Sequence, residues 1–301
     1  MKLLKMLKNP RDILLFILKS RVFWLIPDKL YLRIKYKLIM NKNLNLKNPQ
    51  TFNEKMQWLK INNKNTEYTK LVDKYEVRKY ISEIMGEEYL IPVLGVYNSF
   101  DEIDFDALPE KFVLKCTHDS GGLVICTDKK KLDKKAAKKK INKSLKKNYY
   151  YLHREWPYKD VTPRIICEKY MEDSLANELI DYKLMSFNGK VKCIFVCQNR
   201  MSKNGLNIDI YDSQWRIMPF ERPNHRNSEK AIPKPNNYEK MIELAERCSK
   251  NFPFIRVDFY EVNGKLYFGE LTLYPGSGFE KFDPESYDYK LGSWIKLHSY
   301  K

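Results

Sequence analysis

Apolar and polar residues alternate most clearly between residues 255 and 278, near the C-terminus. Two alternating runs flank Asn263-Gly264, a dipeptide typical of tight turns, so the pattern predicts a β-hairpin. Because side chains alternate between the faces of a strand, one face packs on a core and the other carries polar groups. The apolar set is odd-numbered: Ile255, Val257, Phe259, Tyr267, Leu271 and Leu273. The polar set is even-numbered: Arg256, Asp258, Glu270 and Thr272. An ordinary half-solvated hairpin shows the same alternation, so the pattern alone does not establish a site.

The length of the turn decides whether the two carboxylates meet. A two-residue turn pairs even with odd positions and separates Asp258 from Glu270. A three-residue loop with Gly264 in the left-handed conformation pairs them. Since both runs place apolar residues at odd positions, we expect the three-residue loop. Two adjacent carboxylates, with the Thr272 hydroxyl two residues on, suit Mg²⁺ bound to substrate phosphates.

The rest of the chain alternates between helical and strand patterns. Helical periodicity covers roughly residues 53–85, and an amphipathic helix covers 238–251. Apolar runs predict four strands, at 89–97, 112–116, 123–127 and 163–170. Asn188-Gly189 predicts a second hairpin, and the proline-rich stretch 213–237 is typical of a long loop. Helices segregated from antiparallel hairpins indicate the α+β class.

The N-terminal region, residues 1–50, is basic, apolar and helical in pattern. Its longest purely apolar run, Ile13–Leu18, is too short to span a membrane, and no signal-peptide cleavage site follows it. Basic and aromatic residues among the aliphatic ones fit a helix lying on an anionic membrane surface. A helical layer packed on the body of the protein explains the pattern equally well, and both can hold together.

Charge and cysteine usage narrow the classes of partner. The 301 residues carry a formal charge of +17, which suggests anionic partners. The lysine-rich segment 128–147 contains no Arg and no interleaved aromatic residue, so a solvated helix face is expected there and no nucleic-acid partner. The six cysteines form no C-x-x-C pair, which argues against thiolate metal sites and fits a cytosolic protein with reduced thiols.

Two strand ends carry further candidate chemistry. Lys115 ends an apolar strand just before Gly121-Gly122, a loop able to close over phosphates, although the order is not that of a Walker loop. Glu168 ends another apolar strand. Each residue alone is ordinary. Their order along the chain is informative, because Lys74, Lys115, the loop, Glu168, the acidic segment 178–183 and the carboxylate hairpin follow one another.

That order resembles the ATP-grasp superfamily. The segments TFNEKMQWLK, LVDKYEVRKYI, FVLKCTHDSGG, RIICEKYM, DYKLMSFNGK and RVDFYEVNGKLYFGELTLYPGSGF are similar to its TupA-like branch. That branch is named for teichuronopeptide synthesis and is associated with capsular and cell-wall polysaccharide loci. The resemblance covers nearly the whole chain after about residue 30. It implies two α+β subdomains gripping ATP, with segments 1–50 (N-terminal extension), 51–110 (N-terminal part), 111–167 (lid) and 168–301 (C-terminal core).

The resemblance also implies a role for each matching position. Lys74 and Lys115 match the lysines that hold the nucleotide phosphates, and Glu178 matches the ribose-binding acid. The lid loop matches His118–Gly122, with Ser120, Gly121 and Gly122 at the phosphates and Asp119 where the family often has Gly. The hinge whose backbone recognises adenine matches Glu168, Lys169, Tyr170 and Met171.

On the substrate side, Asp258 and Glu270 match Mg²⁺ ligands. Thr272 stands where many ATP-grasp enzymes have a ligating Asn. Lys183 and Arg256 match contacts to the phosphate or acyl phosphate, and His118 is a candidate acid, base or substrate-binding group.

The function implied is an ATP-dependent carboxylate–amine ligase that forms an acyl phosphate and then an amide, releasing ADP and phosphate. Its cofactors are ATP and Mg²⁺, and its carboxylate and amine substrates are glycan-linked, such as a uronic acid joined to an amino acid. The protein is expected to be cytoplasmic and to lie on the inner face of the cell membrane. Alternatives are a glycosyltransferase, supported only by Asp104-Phe-Asp106, an ATP-grasp-type kinase, and a basic membrane- or nucleic-acid-binding protein, which leaves the carboxylates unexplained.

Overall fold

The computed structural model describes residues 10–173, 178–199 and 205–297. The helices are α1 (Pro10–Ile17), α2 (Asp28–Met40), α3 (Phe52–Asn62), α4 (Tyr68–Val72), α5 (Val77–Ile84), α6 (Lys134–Leu145), α7 (Tyr150–His153), α8 (Tyr238–Ser249) and α9 (Ser286–Ser293). The strands are β1 (Val93–Tyr97), β2 (Phe112–Cys116), β3 (Leu123–Cys126), β4 (Ile165–Lys169), β5 (Asp181–Phe187), β6 (Lys190–Gln198), β7 (Asn207–Asp212), β8 (Phe254–Val262) and β9 (Lys265–Thr272). Helices and antiparallel strands are segregated, so the α+β prediction is confirmed.

The first sheet is antiparallel, with strand order β1–β4–β2–β3. Alternate residues of β2 and β4 form its core with Ala137 and Ile141 of α6. Helix α6 begins after Asp133, whose side chain accepts a hydrogen bond from the Ala136 backbone N–H. Strand β1 begins only at Val93, because Pro92 has no N–H to donate to the ladder.

The second sheet is also antiparallel, with strand order β7–β6–β5–β8–β9. Helix α8 packs on it through Met241, Leu244 and Cys248, which are all fully buried. Asn188 and Gly189 have φ angles of 48° and 80° and form the predicted tight turn between β5 and β6. Strand β7 was not among the strands expected from the sequence.

The β8–β9 hairpin has the expected pairing but not the expected turn. Asp258 lies directly opposite Glu270, as predicted. The predicted three-residue loop is wrong, because Val262 pairs with Lys265 across a two-residue turn. Asn263 and Gly264 have φ angles of 50° and 75°, the left-handed pair required by a type I′ turn.

A bulge at Gly269 restores the pairing of the two acids. Asp258 pairs with Glu270 but Phe259 pairs with Phe268, which leaves Gly269 as the extra residue. The bulge exchanges the two faces of β9. Leu266 and Phe268 are buried before it, and Leu271 and Leu273 after it. The expectation that both strands bury their odd positions throughout is therefore wrong for the first half of β9.

The N-terminal segment packs on the body of the protein. Leu18 joins Tyr31, Leu32 and Tyr36 in a separate buried cluster. Trp24 stacks on Tyr151 with ring centroids 3.9 Å apart. The helical-layer interpretation thus describes residues 10–40, whereas residues 1–9 of the predicted membrane helix lie outside the described residues. No helix in the described part of the chain is long and apolar enough to cross a membrane.

Candidate nucleotide site between the two sheets

A cavity of about 270 Å³ lies between the first sheet and the β8–β9 hairpin. It brings together six of the residues singled out from the sequence: Lys74, Lys115, Ser120, Gly122, Glu168 and Glu270. Leu71, Val77, Phe268 and Leu271 supply the apolar part of the lining between them. Apolar walls with a few convergent charged groups are typical of a small-molecule site.

Lys115 and Glu168 face the cavity from neighbouring strands. Lys115 lies opposite Ile166 in the β2–β4 pair, and its Nζ is 2.5 Å from Glu168 Oε2. Arg78 of α5 approaches the other carboxylate oxygen at 3.7 Å. The Lys115 side chain is 28% exposed and that of Glu168 only 9%. Lys115 is therefore the more accessible member of the pair, although both residues line the cavity.

The lid loop is held in place by its own aspartate. Asp119 is buried, its Oδ1 accepts the Gly122 N–H at 2.9 Å, and its Oδ2 accepts the Ser144 hydroxyl of α6. Lys74 Nζ donates to the Asp119 carbonyl. Gly122 needs to be glycine, because a Cβ there would lie 2.4 Å from Cys116 Sγ. Asp119 thus orders the loop from within and leaves Ser120 and Gly121 exposed.

His118, a candidate catalytic residue, points away from this cavity. The ring is 2% exposed, and its Nε2 is 3.1 Å from the Ser144 carbonyl oxygen. It is not among the residues that line the space between the sheets. The geometry gives His118 a role in joining the lid loop to α6, and its catalytic role remains a prediction.

Three of the four hinge residues and the ribose acid lie beside the cavity rather than in it, whereas Glu168 lines it. Lys169, Tyr170 and Met171 line a separate cavity of about 860 Å³. Glu178 lines a third space of about 190 Å³, and its carboxylate accepts the Asn199 N–H. Their adenine- and ribose-binding roles therefore stay predictions.

On the second sheet, Asp258 is the centre of a buried ion cluster. Arg256 binds both of its oxygens, at 2.6 and 2.8 Å, and Lys183, directly opposite on β5, also donates to it. Burial alone raises the pKa of Asp258, but Arg256 and Lys183 bring the net pKa below its ordinary value. Burial opposes the charge of Arg256 as well, yet Asp258 and Glu270 raise its pKa overall. All three groups are charged at neutral pH.

Glu270 and Thr272 have oxygens available to a magnesium ion completed by phosphates, whereas Asp258 already accepts three hydrogen bonds from Arg256 and Lys183 and has about one lone pair left. Asp258 and Glu270 face each other across the strands, and Glu270 is 41% exposed. The buried Thr272 Oγ1 has no hydrogen-bond partner among the residues that the structure describes. Within the described ranges, no group of three or more His, Cys, Asp or Glu side chains forms a closed metal cage. Mg²⁺ is usually bound by one or two carboxylates together with substrate phosphates, which agrees with this open set.

The loop 275–278 after β9 is held by buried polar side chains that were not predicted from the sequence. Gly276, Ser277 and Gly278 have φ angles of 52°, 57° and 65°. Gln57 and Lys60 of α3 donate to the Ser277 carbonyl at 3.0 and 2.7 Å, and Glu155 accepts the Ser277 hydroxyl at 2.5 Å. Burial lowers the pKa of Lys60 and raises that of Glu155. These contacts join residues more than 100 positions apart, so only the helical spacing of Gln57 and Lys60 was visible in the sequence.

Several solved structures are similar to this chain. D-alanine–D-alanine ligase from Bacillus anthracis, complexed with ATP, has 17% sequence identity and a TM-score of 0.41, over 75% of this chain and 63% of that one. The Helicobacter pylori D-alanine–D-alanine ligase has 15% identity and a TM-score of 0.38, over 75% and 61%. N5-carboxyaminoimidazole synthetase from Staphylococcus aureus has 14% identity and a TM-score of 0.39, over 67% and 44%. The chain spans less than two thirds of each of these proteins.

Sequence comparison identifies the family. No curated protein matches the chain at a significant level. The model of the family described as TupA-like ATPgrasp matches residues 54–296. That range includes the lid loop, both sheets and every candidate site residue, and it confirms the ATP-grasp fold expected from the motifs. The chain belongs to the TupA-like ATP-grasp family.

Proposed function

We propose that this protein is an ATP-dependent carboxylate–amine ligase that modifies a capsular or cell-surface polysaccharide. The observation that carries the proposal is the cavity between the two sheets, where the Lys115 cation and the exposed lid loop face Glu270. A triphosphate needs cations and backbone donors on one side and metal-binding oxygens on the other, and this cavity supplies both.

In the proposed reaction, a substrate carboxylate oxygen attacks the γ-phosphorus of ATP, and ADP leaves. The amine then attacks the carbonyl carbon of the acyl phosphate, and phosphate leaves as the amide forms. Lys74 and Lys115 hold the phosphates, and Lys183 and Arg256 stabilise the negative charge that develops at the transferred group. Closure of the Ser120–Gly122 loop excludes water from the acyl phosphate.

Asp258, Glu270 and Thr272 would hold Mg²⁺ in this scheme. Bound there, the ion neutralises charge on the phosphate oxygens and supplies no covalent step. Asp258 also keeps Arg256 in position, because its two oxygens fix the guanidinium plane.

The proposal is tested by incubating the full-length protein with ATP, Mg²⁺ and a panel of uronic acids and amino acids, followed by mass spectrometry. We expect ADP, phosphate and a product whose mass equals acid plus amine minus water. A uronic acid phosphorylated on a hydroxyl, with no amide product, would instead show a kinase. In a parallel incubation with a sugar nucleotide, release of its nucleoside diphosphate with ATP untouched would show a glycosyltransferase.

We further propose that the N-terminal segment attaches the protein to an anionic membrane surface. Val22 and Leu25 are 77% and 91% exposed, and Phe16 on α1 is 58% exposed. The exposed Lys19 and Arg21 lie in the same stretch. Apolar side chains flanked by cations suit the interface of an anionic bilayer, where each basic residue contributes about 1 kcal/mol.

Replacing Val22 and Leu25 together by Glu is expected to remove the protein from the lipid fraction when it is floated with phosphatidylglycerol vesicles. Deletion of residues 1–26 is a poorer test, because the carbonyls of Phe23 and Ile26 accept hydrogen bonds from the buried Arg154. The control is Ile217→Glu, an exposed residue of the long loop. Equal flotation of the double variant and the wild type would leave the segment as a structural layer only.

A further inference from the structure

Two cavities on the substrate side meet at one ion pair. The inner cavity, about 110 Å³, is lined by Lys183, Arg256 and Pro275 among others. The outer cavity, about 510 Å³, lies against α1. Arg222 and Glu280 line both, so the space beside the candidate reaction centre continues towards the N-terminal layer.

The cation of this pair is the accessible partner. Arg222 Nη2 is 2.9 Å from Glu280 Oε1, and their side chains are 26% and 5% exposed. The backbone beside Arg222 is fixed, because Glu221 and Asp283 exchange two hydrogen bonds of 2.9 Å. A planar guanidinium held at its base is suited to a carboxylate, which it can bind with two parallel hydrogen bonds.

The outer cavity combines charge with apolar surface. Arg11, Lys281 and Arg222 supply three cations against the two acids Asp12 and Glu280. Leu15 and Phe279 supply apolar wall. A pyranose ring offers C–H faces to such walls, and a uronic acid adds a carboxylate at each ring. A small amino acid or a single uronic acid leaves a space of about 510 Å³ largely unfilled.

We propose that the two cavities form one acceptor groove for an acidic oligosaccharide. The reacting carboxylate lies in the inner cavity near Arg256 and Lys183, Arg222 binds the carboxylate of the next ring, and the chain continues along α1. This assignment deepens the proposed function and rests on it. Arg222 is then a specificity-determining residue that selects an acidic chain over a neutral one.

The test uses the full-length protein and calorimetric titration with tetragalacturonate and with monomeric galacturonate. We expect tetragalacturonate to bind more tightly than galacturonate. The Arg222→Ala variant should bind tetragalacturonate about 10- to 100-fold more weakly than the wild type. Arg222→Lys, which keeps a cation beside the buried Glu280, should also lose affinity because it lacks the planar fork. Glu280→Gln should tighten binding, since it frees Arg222 from its competing carboxylate. If the ion pair were purely structural, breaking it from either side would not change the affinity for tetragalacturonate in opposite directions.

Two variants locate the groove. Asn224 is an exposed residue that lines the outer cavity. The Asn224→Trp variant should bind tetragalacturonate more weakly and galacturonate with unchanged affinity. Arg216→Ala is the control, because this arginine lies on the same loop, pairs with Asp212 and is 74% exposed. Equal affinity for tetramer and monomer, or unchanged affinity in folded Arg222→Ala, overturns the groove. Tighter binding of tetraglutamate than of tetragalacturonate overturns the glycan as its occupant. The affinity for Mg·ATP is measured on the same samples. If Mg·ATP does not bind, the ligase proposal is refuted, whereas the affinities for the galacturonates are unaffected by that result.

Discussion

Asp258→Asn is expected to abolish ATP turnover and also to lower the free energy of unfolding, whereas Glu270→Gln is expected to abolish turnover alone. Both side chains face the candidate metal position from paired strands. They differ in burial and in partners. Asp258 is 2% exposed and binds Arg256 and Lys183, while Glu270 is 41% exposed and its oxygen is 3.5 Å from Arg256.

The structural reason is that a neutral amide in place of the Asp258 carboxylate leaves two buried cations without a full counter-charge. Removing one partner of a buried ion pair typically costs about 3–5 kcal/mol, whereas a half-exposed pair contributes about 1 kcal/mol or less. The alternation along the hairpin places both acids on its polar face, and from the sequence alone neither is expected to matter much for stability. Burial of Asp258 revises that expectation for one of the two.

Urea unfolding and ADP release, measured on the same preparations, separate these effects. An unfolding midpoint for Glu270→Gln close to that of the wild type, with no ADP release, is the expected result. Thr272→Val is a useful companion variant. It removes a buried hydroxyl that no described residue hydrogen-bonds, so it should weaken activity without loss of stability. If either acid variant releases ADP at the wild-type rate, the hairpin has a structural role only.

The β8–β9 hairpin shows which features of the fold can be predicted from the sequence and which cannot. Its alternation predicted the strands, and the pairing of Asp258 with Glu270 was correct, although for the wrong reason. Asn263-Gly264 strongly favours a two-residue turn, whereas one continuous apolar face along both strands requires a three-residue loop. The protein satisfies both demands with the bulge at Gly269, where a Cβ would approach the Asp258 carbonyl oxygen to 3.2 Å. An isolated Gly inside a strand was the available signal.

Other features depended on contacts between distant segments. Asp119 stands where the family often has Gly, and only the fold shows that its carboxylate turns inward to Ser144 of α6. The pairing of Arg222 with Glu280 joins a proline-rich loop to the segment after β9. Neither partner is marked by periodicity or by a local motif. Local patterns thus predicted the strands and the order of the chemistry, whereas tertiary packing decides which charged side chains face a cavity.

Lys115→Ala is expected to lower the affinity for ATP about 10- to 100-fold. The Lys115 ammonium faces the cavity between the sheets, and a charge-assisted hydrogen bond to phosphate contributes about 1.5–3 kcal/mol. Affinity is measured by calorimetric titration with ATP and Mg²⁺, and the fold is checked by thermal melting. Lys190→Ala is the matched control, because Lys190 also pairs with a glutamate but lies 69% exposed on β6.

A lower affinity in Lys115→Ala has a second explanation, which the ion pair itself allows to be tested. Loss of the lysine leaves Glu168, whose side chain is 9% exposed, facing the cavity. Arg78 is more distant, at 3.7 Å, so the negative charge of Glu168 would repel a triphosphate. The double variant Lys115→Ala/Glu168→Gln removes this charge. If Lys115 binds phosphate directly, the double variant regains thermal stability but not ATP affinity. If the lysine merely neutralises Glu168, ATP affinity returns to nearly the wild-type value, and the phosphate-binding role of Lys115 is refuted.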